Sequence, residues 1–341
     1  MTHYFESGFS VRQPMWHGLG NVPADYPGSW DEARQLAGLD FEPIKVPTYE
    51  YRGIDSAGDI AHAPAEGVIG DYFEDEARQR IVRSDTGATL AIANGTYELI
   101  SHAEMGAVVE AILDQPNVRY ETAGVLEGGR AVWALALLDE PVQLSGRHAE
   151  DVSLTLPYVA LLNRHDGGAA FRVASTSVRI VCANTWRASE IEAEHTGTSY
   201  SFRHTRNWRD KIDDAREVIT GVRRDFRAYC QTATELLGIH ISPSQSDLFI
   251  SEFIPMPPDG LISQRVRTNV ETARTSMRRI LRSATTQHVA HTAFGLVQAA
   301  GEYLDHIRRY RTAETRMNRS LLTAEPLKAK AVRLAREVAN D

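Results

Sequence analysis

Two stretches decide the fold: RYETAGVLEGGRAVWALALL at 119–138 and VSLTLPYVALLNRHDGGAAFRVASTSVRIVCANTWRA at 152–188. In the first, apolar β-prone runs flank Gly128-Gly129; in the second they flank Asp166-Gly167-Gly168. A tight turn between antiparallel strands needs positive φ, which glycine adopts without steric cost, so each site predicts a hairpin. The last run ends in Cys182-Ala183-Asn184-Thr185, and Asn or Thr there suits the N-cap of a following helix. The block from Arg119 to Ala188 therefore predicts an antiparallel meander closed by a helix. On the last strand, alternation puts Val178, Ile180 and Cys182 on one face and Arg179 with Val181 on the other.

Toward the N-terminus, Ser29 is placed to cap a short helix, and PIKVPTYEYRG at 43–53 alternates like a strand. The acidic, Gly/Ala-rich stretch Ser56–Glu76 reads as a loop. Thr89–Ile92 and Tyr97–Ile100 flank Asn94-Gly95, a further tight-turn signal. Ser101 and Glu104 have the spacing of a capping box at the head of a helix. Beyond Arg206 the apolar period changes from two to about 3.6. Asp210–Leu237, Ile262–Arg282, Thr292–Arg311 and Pro326–Ala339 read as helices, with a break from Pro243 to Gly260. The expectation is an α+β protein: an antiparallel hairpin meander packed with helices over 1–202, then a basic helical region over 203–341.

The chain has 341 residues, 43% of them hydrophobic, and a net charge of −8. That charge is unevenly spread. Residues 1–202 hold 14 Lys and Arg against 29 Asp and Glu, whereas residues 203–341 hold 23 against 16. A basic back half suits an anionic partner or an acidic surface on another subunit. The two cysteines, Cys182 and Cys230, exclude a disulfide scaffold. No apolar run reaches the roughly 18 residues of a membrane span, and MTHYFESGFS lacks the order of a signal peptide. A cytoplasmic protein that does not enter a membrane is expected.

Catalytic signatures are missing. The sequence contains no GxxxxGK[ST] loop, no GxSxG elbow and no HExxH pair. Glu302 and His306 share a helix face, but two ligands fall short of a metal site. No catalytic residue, metal or cofactor is therefore assigned. The candidates are instead contacts to a nucleic acid. Arg164, Arg172, Arg179, Asn184 and Arg187 lie in or beside the second hairpin, where guanidinium forks suit phosphate. In FRHTRNWR at 202–209, Arg203, Arg206 and Arg209 interleave with Trp208, the combination that tracks a backbone and stacks bases. Arg274, Arg278 and Arg282 are spaced i, i+4, i+8 and form one stripe.

Several of these segments carry a resemblance. Met15-Trp16-His17-Gly18-Leu19-Gly20, ETAGVLEGGRAVWALALL, NRHDGG, SVRIVCANT and Thr292-Ala293-Phe294-Gly295 through His306 occur in the order of the signatures of the phage/plasmid-like proteins. That family, carried by bacteriophages, prophages and plasmids, is a domain of unknown function. A hairpin meander followed by a helix and a basic annex is also similar, at fold level, to single-strand annealing recombinases of the Redβ/RecT-like and eukaryotic Rad types. This second resemblance implies a non-enzymatic protein in the cytoplasm of a bacterial host. It would bind single-stranded DNA without ATP, promote annealing and assemble as a homo-oligomeric ring or filament. The alternatives are an unrecognised metal-dependent nucleic-acid enzyme and a non-catalytic phage–host interaction module.

Overall fold

Both double-glycine turns make hairpins in the computed structural model, which describes residues 5–11, 20–113, 119–138, 141–179, 184–186, 199–205, 207–208, 215–258, 263–311 and 326–340. The chain opens with β1 (Phe5–Ser10) and α1 (Trp30–Ala37), whose N-cap Ser29 accepts from the Glu32 amide. Next come β2 (Pro43–Ile54), β3 (Ile60–Ala61), β4 (Ile69–Arg83), β5 (Thr89–Asn94) and α2 (His102–Leu113). The meander follows as β6 (Tyr120–Leu126), β7 (Ala131–Leu137), β8 (Val142–Ser145), β9 (Glu150–Arg164), β10 (Phe171–Arg179), β11 (Asn184–Trp186) and β12 (Ser199–Phe202).

The larger sheet has eight antiparallel strands, in the order β1-β6-β7-β9-β10-β11, with β8 added to β9 and β12 to β10. Glu127, Gly128 and Gly129 all take positive φ at the β6–β7 turn, and a Cβ on Gly129 would sit 2.8 Å from the Phe41 ring. Both faces of the sheet are apolar. One packs Val125, Val132, Ala134, Val159 and Leu161 under Trp30, Ala33, Met105 and Val109 of α1 and α2. The other gathers Leu126, Trp133, Leu135, Leu156, Tyr158 and Leu162.

Three sequence expectations change here. Asn184 does not cap a helix: it sits in β11, paired across from Arg179, so the chain reverses after β10 and pairs with it again. Ile180 and Cys182, expected on that strand, lie outside the described residues. Tyr97–Ile100 forms no strand after Asn94-Gly95, because β5 pairs back onto β4. Ser56–Glu76 is not simply a loop: β3 and the first half of β4 fall inside it and extend β2 into a long antiparallel arm. The four-stranded sheet that results has the order β3-β2-β4-β5.

The C-terminal helices are α3 (Ala215–Leu237), α4 (Pro243–Phe253), α5 (Gln264–Leu281), α6 (Ala293–Glu302) and α7 (Pro326–Glu337). Pro243 starts α4 rather than breaking the chain. It occupies the first turn, where its missing N–H costs nothing, and Ser242 with Gln245 forms a capping box. Tyr229, Leu236, Phe249, Met277, Phe294, Val297 and Ala331 build a core of their own, joined by Leu144 of β8. After α6 one wider turn, Tyr303–Ile307, presents Asp305 to Lys328 of α7 at 3.0 Å, with both side chains buried. The fold is α+β. No described helix is long and apolar enough to cross a membrane.

Candidate functional site: a buried histidine junction and an exposed arginine face

The NRHDGG turn between β9 and β10 is a junction. His165 donates its backbone N–H to the Arg130 carbonyl in the neighbouring hairpin, 2.8 Å away. Its ring meets the His102 ring, Nε2 to Nε2, at 3.1 Å, and both side chains are fully buried. Two neutral imidazoles satisfy this contact only if one carries its proton on Nε2 and the other presents a lone pair there. His102 is held in turn: its backbone N–H donates to Glu42 Oε2 at 2.8 Å, and the Phe41 ring stands edge-on to it. Asn163 donates to the Ile100 carbonyl at 2.8 Å. Tyr97 donates to the Arg164 carbonyl at 3.1 Å and stacks on His204, whose Nδ1 lies 3.1 Å from the Glu98 carbonyl.

Burial sets the electrostatics. It pushes the His102 pKa down to about 4 and that of His165 well below the usual histidine value, since a charged imidazole would lose its hydration. Burial also lowers His204 and raises Tyr97. The pair is closed to solvent, so its chemistry is internal: it locks the turn to the head of α2. Among the described residues no three His, Cys, Asp or Glu side chains are placed to hold one metal ion. In the sequence His165 stands only as part of the NRHDGG turn, and nothing marks His102. Ser101-His102 at a helix start carries no signal that its ring meets a residue 63 positions away.

The predicted contact residues divide sharply. Arg164 is half-buried and ion-paired with both Glu127 and Asp166, so it braces the turn and offers no open fork to phosphate. Trp208 is 2% exposed and packs with the core under the larger sheet, so it has no face for base stacking; His204 beside it is buried too. Arg274 points its guanidinium at the Ile254 and Ser251 carbonyls and caps the end of α4, and Arg278 binds Asp247 at 2.9 Å. The i, i+4, i+8 stripe therefore turns toward α4 along most of its length, and only Arg282 is exposed. Arg203 is exposed, Arg172 is partly buried on β10, and Arg179 stands in register with Thr155 and Asn184. Arg187, Arg206 and Arg209, and the Met15–Leu19 signature, lie outside the described residues.

What the structure brings together instead is a second set on the same helix. Arg265, Arg267, Arg279 and Arg282 are exposed on or at the end of α5 and make no ion pair among the described residues. Within α5 five arginines face a single glutamate, Glu271. Helical spacing explains the division. Met277, Ile280 and Leu281 take the core face, Arg274 borders it, and the opposite side is left to Arg267, Thr268, Thr272, Thr275, Ser276 and Arg279. These last residues, with Gln264 and Glu271, line a groove of about 510 Å³. Thr268, Thr272 and Ser276 each donate to the carbonyl four residues back, so their oxygens face the groove as acceptors.

The chain belongs to the DUF932 family, a domain of unknown function, whose model matches residues 89–324. That span takes in the histidine junction from Tyr97 to His204 and the whole of α5. Neither a curated protein nor a solved structure matches the chain.

Proposed function

We propose that this chain is a phage or prophage protein that binds single-stranded DNA in the bacterial cytoplasm and promotes ATP-independent annealing during recombination. The observation that carries the reading is the set of exposed arginines of α5, Arg267 and Arg279 in the groove with Arg265 and Arg282 at the two ends of the helix, which make no ion pair among the described residues. Guanidinium groups at both ends of a helix about 27 Å long can follow several phosphates of a flexible strand. The hydroxyl oxygens between them are acceptors, suited to base N–H groups that a duplex would keep paired. Annealing makes no covalent bond, so it asks for no nucleophile or cofactor. The overall charge of −8 does not oppose this, because phosphate contact depends on local potential and α5 is locally basic.

The test is a gel shift with labelled single strand, duplex and RNA, followed by annealing of complementary strands. Single strands should bind best, with a salt slope of about 0.7 per phosphate contacted. Arg267→Glu with Arg279→Glu should abolish the shift while the fold, read by circular dichroism, is kept. No binding even at low salt rejects the proposal.

A further inference from the structure

The far end of the β2–β4 arm presents an apolar row that nothing among the described residues covers. Ile54 pairs with Ile69 on one side and with Ile60 on the other, so three isoleucines stand side by side on one face of β3-β2-β4. They are 58%, 86% and 76% exposed, respectively. Carboxylates surround the row: Asp55 and Asp59 flank the turn into β3, and Glu66 and Asp71 flank the entry to β4. From Tyr49 to Glu76 the chain holds eight carboxylates against one arginine, Arg52, which is itself occupied by Glu50. An apolar centre with a charged rim is the anatomy of an interface, and a single-sign rim specifies a partner of opposite sign.

We propose that the arm tip docks on the α5 arginine face of a second copy of this chain. A second arm is a poor partner, because its own carboxylates would meet these. The α5 face has the required sign, and its arginine stems supply aliphatic cover for the isoleucines. The lengths agree as well: the ladder from Tyr49 to Ile54 spans about 20 Å and α5 about 27 Å. Arm and α5 are different surfaces, so the contact is heterologous and leaves the pair with one free arm and one free face; repetition yields a ring or a filament. The proposal stands whether or not α5 also receives nucleic acid. If it does, arm and strand compete for one surface.

The experiment is mass measurement by sedimentation on the full chain without nucleic acid. Wild type should exceed 37.9 kDa at low salt and fall toward that mass at high salt. Ile54→Asn with Ile69→Asn should weaken association by about tenfold or more, with unchanged melting because both positions are exposed. Asp55→Lys with Asp71→Lys should give monomers, as should Arg267→Glu with Arg279→Glu. Mixing these two charge-reversed chains should restore association, since the swapped signs are complementary. A wild-type chain that stays at 37.9 kDa across concentrations overturns the proposal. So does a mass insensitive to the arm variants, or a charge-reversed pair that does not associate.

Discussion

The two sheets of this protein each contain a strand of 15 residues, β9 in one and β4 in the other, and put their strands to opposite uses. In the eight-stranded sheet, every residue of β7 from Ala131 to Leu137 is buried, because α1 and α2 cover one face and further apolar side chains fill the other. In the four-stranded sheet, β4 is exposed at nearly every position until Ile81, where the core begins. The first sheet is held by burial on both faces. The arm is held by its backbone ladder and by local cover, chiefly the Tyr51 ring lying against Gly53 and Gly70 and meeting Tyr72 at 5.3 Å. Strand formation and core formation are thus separable in one chain. The part that leaves its side chains in solvent is the part free to meet another molecule.

The largest effect should come from breaking the buried sheet. Trp133 of β7 is 1% exposed and stacks over Gly124 of β6, so Trp133→Ala opens a cavity at the centre. Denaturant unfolding should show a loss of about 3–5 kcal/mol. A loss under about 1 kcal/mol would mean that the sheet interior is not close-packed.

Next is the joint that ties the buried sheet to the chain emerging from the arm sheet, the His102–His165 pair. Both pKa values are depressed in the folded state, so the unfolded chain binds more protons. Stability from the pair is therefore present above the unfolded histidine value near 6.5 and is lost as pH falls below it, for His102 down to its folded value of about 4. His102 alone should cost about 2 kcal/mol between roughly pH 7 and pH 5. Unfolding free energies at the two pH values test this, and His102→Phe with His165→Phe should flatten the difference. An equal slope in that double variant would remove the pair from the account.

How much of this was legible in the sequence follows the same division. The β6–β7 and β9–β10 hairpins were readable because Gly128-Gly129 and Asp166-Gly167-Gly168 interrupt runs whose burial leaves them apolar. The caps at Ser29 and Ser101 were readable because their hydrogen bonds are local. The start of β4 was not: with both faces in solvent, IGDYFEDE shows no period of two and looks like an acidic loop. Pro243 misled because a proline that starts a helix and one that ends it look alike without the cap geometry. At the site, charge density drew attention to α5, but spacing alone singled out arginines that the fold occupies. Arg274 and Arg278 are taken by the Ile254 carbonyl and Asp247, partners far away in sequence. Trp208 likewise belongs to the core, which no reading of its basic neighbours reveals.

Within the arm, Tyr51→Ala should loosen the far ladder by on the order of 1 kcal/mol, because it strips the cover from the Gly53–Gly70 pair. Hydrogen exchange should then quicken at the arm amides while those of β7 and β9 keep their protection. Faster exchange throughout the chain would mean that the arm and the main core unfold as one unit.

The smallest effect is the most pointed. Ile69 is a large apolar residue at one end of a row of three isoleucines, and by type alone its loss should hurt. Yet it is 86% exposed, so Ile69→Ser removes almost no buried area. Surface changes of this kind stay within about 0.5 kcal/mol, an order below Trp133→Ala in the other sheet. Chemical denaturation of the dilute monomer measures the difference directly. A destabilisation above about 1.5 kcal/mol would show that the isoleucine row is already covered in the single chain, and the contrast between the two sheets would then fail.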